Sequence, residues 1–141
     1  MQDRFKMRAI NMRTKEVTYI DDYYWFEENG VSEIDSNNTA SGVFDEYWID
    51  QCTGKKDKHN KLIYEGDIVR LTGKNKVTFE YLVKYRLSEY RYVLEYANGK
   101  FKGRKARDFS KEYAQVKNLY DGGYEVIGNI YENPELLEDN K

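Results

Sequence analysis

The chain has 141 residues with 34% charged, 40% hydrophobic and a net charge of −2. That length fits one domain, or two small lobes, and should bury roughly two thirds of its unfolded surface without a disulfide or metal staple. Mixed charge near neutrality argues against a nucleic-acid coat protein or a membrane-surface binder.

The N-terminus, MQDRFKMRAINMRTKEV, is charged throughout. It lacks the apolar run of ~7–15 residues that export requires. No stretch approaches the ~20 apolar residues of a transmembrane helix. A soluble, cytoplasmic protein is the expectation. The single Cys, Cys52, fits a reducing compartment and cannot form an internal bridge.

One proline, fourteen tyrosines and recurrent two-residue alternation favour strands. Residues 5–12 and 17–20 read as a hairpin. Residues 23–28 and 31–34, either side of Asn29 and Gly30, read as another. Residues 35–42 (DSNNTASG) form a loop by composition, and mark the boundary of an N-terminal lobe. Residues 43–50 fit a strand, although Phe44, Tyr47 and Trp48 also fit a helix face.

Thr53 and Gly54 read as a turn, residues 55–61 as a charged hairpin tip and residues 62–64 as the returning strand. Glu65, Gly66 and Asp67 make a tight turn in which Gly66 supplies positive φ. Residues 68–71 enter the next strand. Residues 77–87 (VTFEYLVKYRL) alternate clearly, with Val77, Phe79, Tyr81, Val83, Tyr85 and Leu87 on one face. That is the pattern of a half-buried antiparallel strand. Residues 90–97 alternate too, joined to it through Ser88 and Glu89, and end at Asn98 and Gly99. Residues 110–119 suit a short helix. In the last strand, residues 124–132, Gly128 suggests a bulge or a close backbone crossing. Asn133 and Pro134 then open a short helix.

Closely spaced strands imply a mainly β fold. A small SH3-like antiparallel barrel is favoured, because 16% aromatics fill a tapered interior and closure removes edges. The predicted organisation is an N-terminal β-hairpin lobe over 1–42, the barrel over 43–133, and a short helix with an acidic tail over 134–141.

Several chemistries fit poorly. One His and one Cys cannot fill a zinc site without distant carboxylates. No calcium loop is present. Gly73 and Lys74 lack the glycine and the Ser/Thr of a phosphate loop. A nucleophilic Cys52 would need His59 as its base, and a small residue at a strand end is the stronger reading. No catalytic residue, metal or cofactor is expected. The segment 100–107 (KFKGRKAR) is the best functional candidate. Lys100, Lys102, Arg104, Lys105 and Arg107 could grip phosphates beside Phe101 and Phe109. Its competing reading is a solvated loop, or one paired with the acidic tail of a neighbouring copy, Glu132, Glu135, Glu138 and Asp139. Tyr24, Trp25, Phe26 and Tyr131 carry more aromatic surface than a small barrel readily hides, which suggests an interface.

Three segments resemble the YopX family of phage and prophage proteins. QCTGKKDKHNKLIYEGDIVRL, from Gln51, resembles the family's central run Gln-Tyr-Thr-Gly-Leu-Lys-Asp-Lys-Asn-Gly-Lys and Ile-Tyr-Glu-Gly-Asp-Ile-Val. YEVIGNIYENPELL, from Tyr124, resembles its closing motif. Lys6, Met7, Arg8, Ala9, Ile10 and Asn11 resemble its opening Lys-Phe-Arg-Ala-Trp-Asp. The departures are Cys52 for Tyr, His59 and Asn60 for Asn-Gly, and Ile10 for Trp. The resemblance implies an SH3-like β-barrel, a phage origin and no established activity. It lends no support to Cys52 or His59 as catalytic groups. The combined expectation is a non-catalytic, self-associating interaction module with itself, a host protein or a phage protein as partner. The alternative is a nucleic-acid-binding accessory protein that uses residues 100–107.

Overall fold

The computed structural model describes residues 2–119 and 122–138. Asp139 and Lys141 of the predicted tail lie outside the described residues. The chain divides into two compact units, Met1–Lys55 and Lys56–Lys141. Each is built on antiparallel strands, so the fold is mainly β, as expected.

In the first unit, β1 (Met7–Asn11) and β2 (Val17–Ile20) form the predicted hairpin, registered Met7 with Ile20 through Ile10 with Val17. The Asn11 side-chain oxygen shapes its turn, accepting the N–H groups of Arg13 and Thr14 at 2.9 and 3.0 Å. Residues 23–34 depart from prediction. In place of a second hairpin stands a short helix, α1 (Tyr24–Glu28). Asn-Gly serves a hairpin turn and a helix end equally well, because both need positive φ. Here Gly30 takes φ +68° and donates to Glu27 C=O, and Val31 donates to Phe26 C=O, ending the helix. The helix wins because Trp25 and Phe26 can then pack together on the core formed by Ala9, Ile20, Val31, Ala40 and Ile49.

β3 (Thr39–Ser41) and β4 (Glu46–Lys56) complete a sheet ordered β2-β1-β4-β3. Of the two readings of residues 43–50, strand holds from Glu46 onwards. The predicted turn at Thr53 and Gly54 is absent, since β4 runs through it. Gly54 takes φ +82° and bends the strand without ending it. The turn comes later, closed by Asp57 N–H donating to Lys61 C=O at 2.7 Å.

β5 spans Leu62–Tyr64. The second unit continues with β6 (Asp67–Thr72), β7 (Thr78–Arg86), β8 (Arg91–Tyr96), β9 (Lys105–Asp108), α2 (Phe109–Leu119) and β10 (Glu125–Asn129). The sheet order is β10-β6-β7-β8-β9, which is consistent with an SH3-like barrel. Ile63, Val69, Leu71, Tyr81, Val83, Leu94, Phe109, Val116 and Tyr124 form its core. The alternating face of β7 is buried only at Tyr81 and Val83. At its ends Phe79, Tyr85 and Leu87 are exposed. The β7–β8 turn has four residues, 87–90, rather than the two predicted, and Tyr90 takes φ +52°.

The register of β10 slips between Val126 and Gly128, the predicted bulge. A Cβ on Gly128 would lie 2.6 Å from Asn133 Oδ1, so the close approach is real. The predicted C-terminal helix is one 3-10 turn, Pro134–Leu137, with Pro at its start. The Asn133 side chain does not cap it, but accepts Asn129 N–H at 3.2 Å instead.

Candidate functional site

The dense stretch at residues 51–71 is spent on turns. Asp57 is buried, and its carboxylate accepts three backbone N–H groups. Oδ1 takes those of His59 and Lys61, and Oδ2 takes that of Val126, all at 2.9 Å. Asp67, also buried, accepts Tyr64 N–H at 2.8 Å across the turn where Gly66 takes φ +88°. Gly66 donates to Val83 C=O and accepts from Ile130 N–H. Asn129 closes the other end, its Oδ1 accepting the N–H groups of Tyr131 and Glu132.

The chain's Cys and His lie in different units. Cys52 is buried, and its sulfur accepts Gly54 N–H at 3.4 Å. His59 is exposed at the hairpin tip, its Nε2 3.3 Å from a Glu125 carboxylate oxygen. Among the described residues no cluster of three or more His, Cys, Asp or Glu could hold a metal ion.

The basic segment separates into two groups. Lys105 and Arg107 lie on β9 and face carboxylates. Lys105 Nζ is 2.5 Å from Glu89 and 2.7 Å from Asp108, and Arg107 is 3.4 Å from Glu112. Hydrogen bonds to Asp108 and then Glu89 raise the Lys105 pKa, and the same contact with Lys105 lowers that of Asp108. Lys100, Lys102 and Arg104 are different. They sit exposed on the loop between β8 and β9. Among the described residues none of the three has an ion-pair partner.

That loop is built rigidly. Its base is closed at Tyr96, whose N–H donates to Arg104 C=O and whose C=O accepts Gly103 N–H, both at 2.9 Å. Asn98 ties it down by donating to Glu80 at 2.8 Å and to Leu136 C=O at 3.0 Å. Gly99 and Gly103 supply φ of +77° and +83°. At the loop's centre Phe101 is 45% exposed, with Lys100 Nζ and Arg104 Cζ 5.8 and 5.6 Å from its ring centroid. Aromatic rings continue inward: Phe101 to Tyr96 at 5.8 Å, Tyr96 to Tyr81 at 5.6 Å, and Tyr81 to Phe79 at 6.4 Å. Between the loop and the exposed start of β7 lies an open pocket of about 280 Å³, lined by Phe79, Glu80, Tyr96, Asn98, Lys100 and Phe101. Phe101 was legible beside the cations. Phe79 and Tyr96 were not, because only strand pairing brings them there. The other flanking ring considered from sequence, Phe109, is fully buried in the core.

The four aromatic interface candidates also separate. Tyr24 is 61% exposed. Trp25 and Phe26 pack on the first unit's core. Tyr131 is half-buried. The larger exposed aromatic in that unit is Phe44, at 93%, beside Val43 at 68%, on the turn joining β3 to β4. A mainly apolar groove of about 300 Å³ lies in the same unit, lined by Met7, Tyr23, Phe26, Val31 and Ile34 among others.

The family model described as YopX protein matches residues 6–138, and so takes in all three motif segments. The chain belongs to the YopX family. Among solved structures, this YopX chain is similar to the crystal structure of protein EF1440 from Enterococcus faecalis. The two are 28% identical with a TM-score of 0.50, over 94% of this chain and 97% of that one. No curated protein matches the chain.

Proposed function

We propose that this YopX chain is a non-catalytic interaction module, encoded by a phage or prophage and working in the bacterial cytoplasm, that self-associates through its first unit. The observation that carries this reading is the Val43–Phe44 tip. A phenylalanine 93% exposed at the end of a turn gains nothing for the isolated fold. The groove beside Tyr23 and Phe26 offers a complementary apolar surface. Reciprocal insertion of Phe44 from each of two copies would bury both features in one symmetric interface, and a dimer is the commonest closed assembly. The non-catalytic part is supported by the burial of Cys52, the engagement of His59 with Glu125, and the use of the motif carboxylates in turns.

Light scattering coupled to size exclusion at micromolar concentration tests the assembly. A mass twice the 16.8 kDa of the chain is expected, returning to the monomer in Phe44→Ser. A monomeric wild-type protein would overturn the reading. For the non-catalytic part, His59→Ala and Cys52→Ser variants should keep every cellular effect of the protein. A folded His59→Ala variant that lost one would contradict it.

A further inference from the structure

We propose that the β8–β9 loop and the start of β7 form a stacking site for single-stranded nucleic acid. The site goes beyond self-association, since it lies in the second unit and rests on different residues. Three observations meet there. Phe79 and Phe101, 43% and 45% exposed, line one pocket together with Tyr96. Lys100, Lys102 and Arg104 surround Phe101, and among the described residues none is neutralised by a carboxylate. The loop is held in place by Asn98 and by the paired bonds at Tyr96, so a ligand need not order it.

The ligand chemistry follows from the combination. Exposed aromatic faces take up unstacked bases, and cations spaced along a loop follow a phosphate backbone. A duplex offers the phosphates but keeps its bases stacked. The one acid lining the pocket, Glu80, is already engaged by Arg70 and Asn98, each at 2.8 Å. Its charge is therefore balanced inside the protein. Lys105 and Arg107 play no part, because Glu89, Asp108 and Glu112 hold them.

Fluorescence anisotropy with a labelled oligothymidylate of about ten nucleotides tests the site. Three phosphate contacts to a single strand should give a slope of about −2 for log affinity against log salt. Phe79→Ala and Phe101→Ala should each weaken binding by about 5- to 150-fold, the range seen for loss of one stacked base. Both side chains are exposed, so the variants should keep the parent's melting temperature. Joint replacement of Lys100, Lys102 and Arg104 by Ala should flatten the slope. Lys84→Ala, five residues along β7 and about 17 Å from Phe79, should leave it unchanged. A duplex of the same length, and thymidine monophosphate, should each compete poorly. No binding at the lowest salt, binding indifferent to Phe79 and Phe101, or equal competition by the mononucleotide would each overturn the proposal. None of these results depends on the mass measured for Phe44→Ser.

Discussion

Asp50→Ala is expected to unfold the first unit more readily than any loop substitution in it. Arg8 is fully buried and Asp50 is 6% exposed. They stand opposite one another on β1 and β4, and Arg8 Nε donates to Asp50 Oδ2 at 2.8 Å. Removing the carboxylate leaves a guanidinium that cannot lose its proton in a site closed to water. Breaking a buried pair from one side costs about 3–5 kcal/mol. Total stability is about 5–15 kcal/mol, so about a fifth or more is at stake. At several degrees per kcal/mol the unit's melting temperature should fall by more than about 10 °C. The assay is selective, because both tryptophans, Trp25 and Trp48, lie in the first unit. Their fluorescence therefore follows its unfolding in heat or urea. The double variant Arg8→Met with Asp50→Leu removes both charges at similar volume, and should recover most of the loss. A shift under about 2 °C for Asp50→Ala, or a double variant as damaged as the single, would refute the reasoning.

Three further outcomes follow from the geometry. Gly66→Val forces a β-branched residue to φ +88° in a turn bonded to β7 and to Ile130, and should cost more than ~1 kcal/mol; an unchanged urea midpoint would show the turn relaxes. Asp57→Ala strands three backbone donors and should destabilise by about 2–4 kcal/mol, whereas His59→Ala beside it should shift melting little; equal effects would mean that Asp57 is no hub. Below about pH 4 stability should fall, because Asp35, Asp45 and Asp108 are all held below the ordinary 3.8. Thr39, Arg13 and Lys105 respectively are the main causes. Their contribution is complete above the unfolded value and is lost as pH drops through the lower folded values. Asp45→Asn should therefore flatten the acid limb of a melting-temperature titration, and an unchanged limb would contradict the Arg13 contact.

Legibility in the sequence followed the range of the interactions. β7 was readable because alternation is local, and it was predicted within a residue at each end. Gly66 was readable because its requirement is the residue's own backbone, and Gly128 because a glycine in mid-strand leaves room for a close neighbour, here Asn133 five residues on. α1 was misread because Asn29 and Gly30 satisfy two local rules at once, and the choice is made by packing of Trp25 and Phe26 on strands far away in the chain. Residues 100–107 looked uniform because strand formation, not composition, separates Lys105 and Arg107 on β9 from the three cations of the loop, although Asp108 and Glu112 lie close by in sequence. Glu89 reaches Lys105 only once β8 and β9 pair, and Glu80 reaches Asn98 only once β7 and β8 do. Arg8 was one charge in a charged N-terminus. Nothing local connects it with Asp50, 42 residues on.

The two long segments that resemble the family turn out to be one physical device. Asp57 Oδ2 accepts Val126 N–H, and Lys58 N–H donates to Tyr124 C=O at 2.8 Å. Gly66 C=O accepts Ile130 N–H at 3.1 Å, and Asp67 pairs with Asn129. The hairpin tip and the Gly66 turn thus grip β10 at its two ends, and fasten the last strand beside β6. Residues engaged in this way have little capacity left to meet a ligand. Their backbone-accepting carboxylates and amides are saturated, and their glycine is committed to a single conformation. Residues 72–119, between the two segments, supply the opposite: the exposed ends of β7, an open pocket, and a loop whose three cations have no ion-pair partner among the described residues. A strand fastened by side chain and backbone on one edge lets the far edge of the same sheet vary without loosening the fold. That arrangement supports the proposed recognition at the β8–β9 loop, with the motifs as the scaffold that carries it.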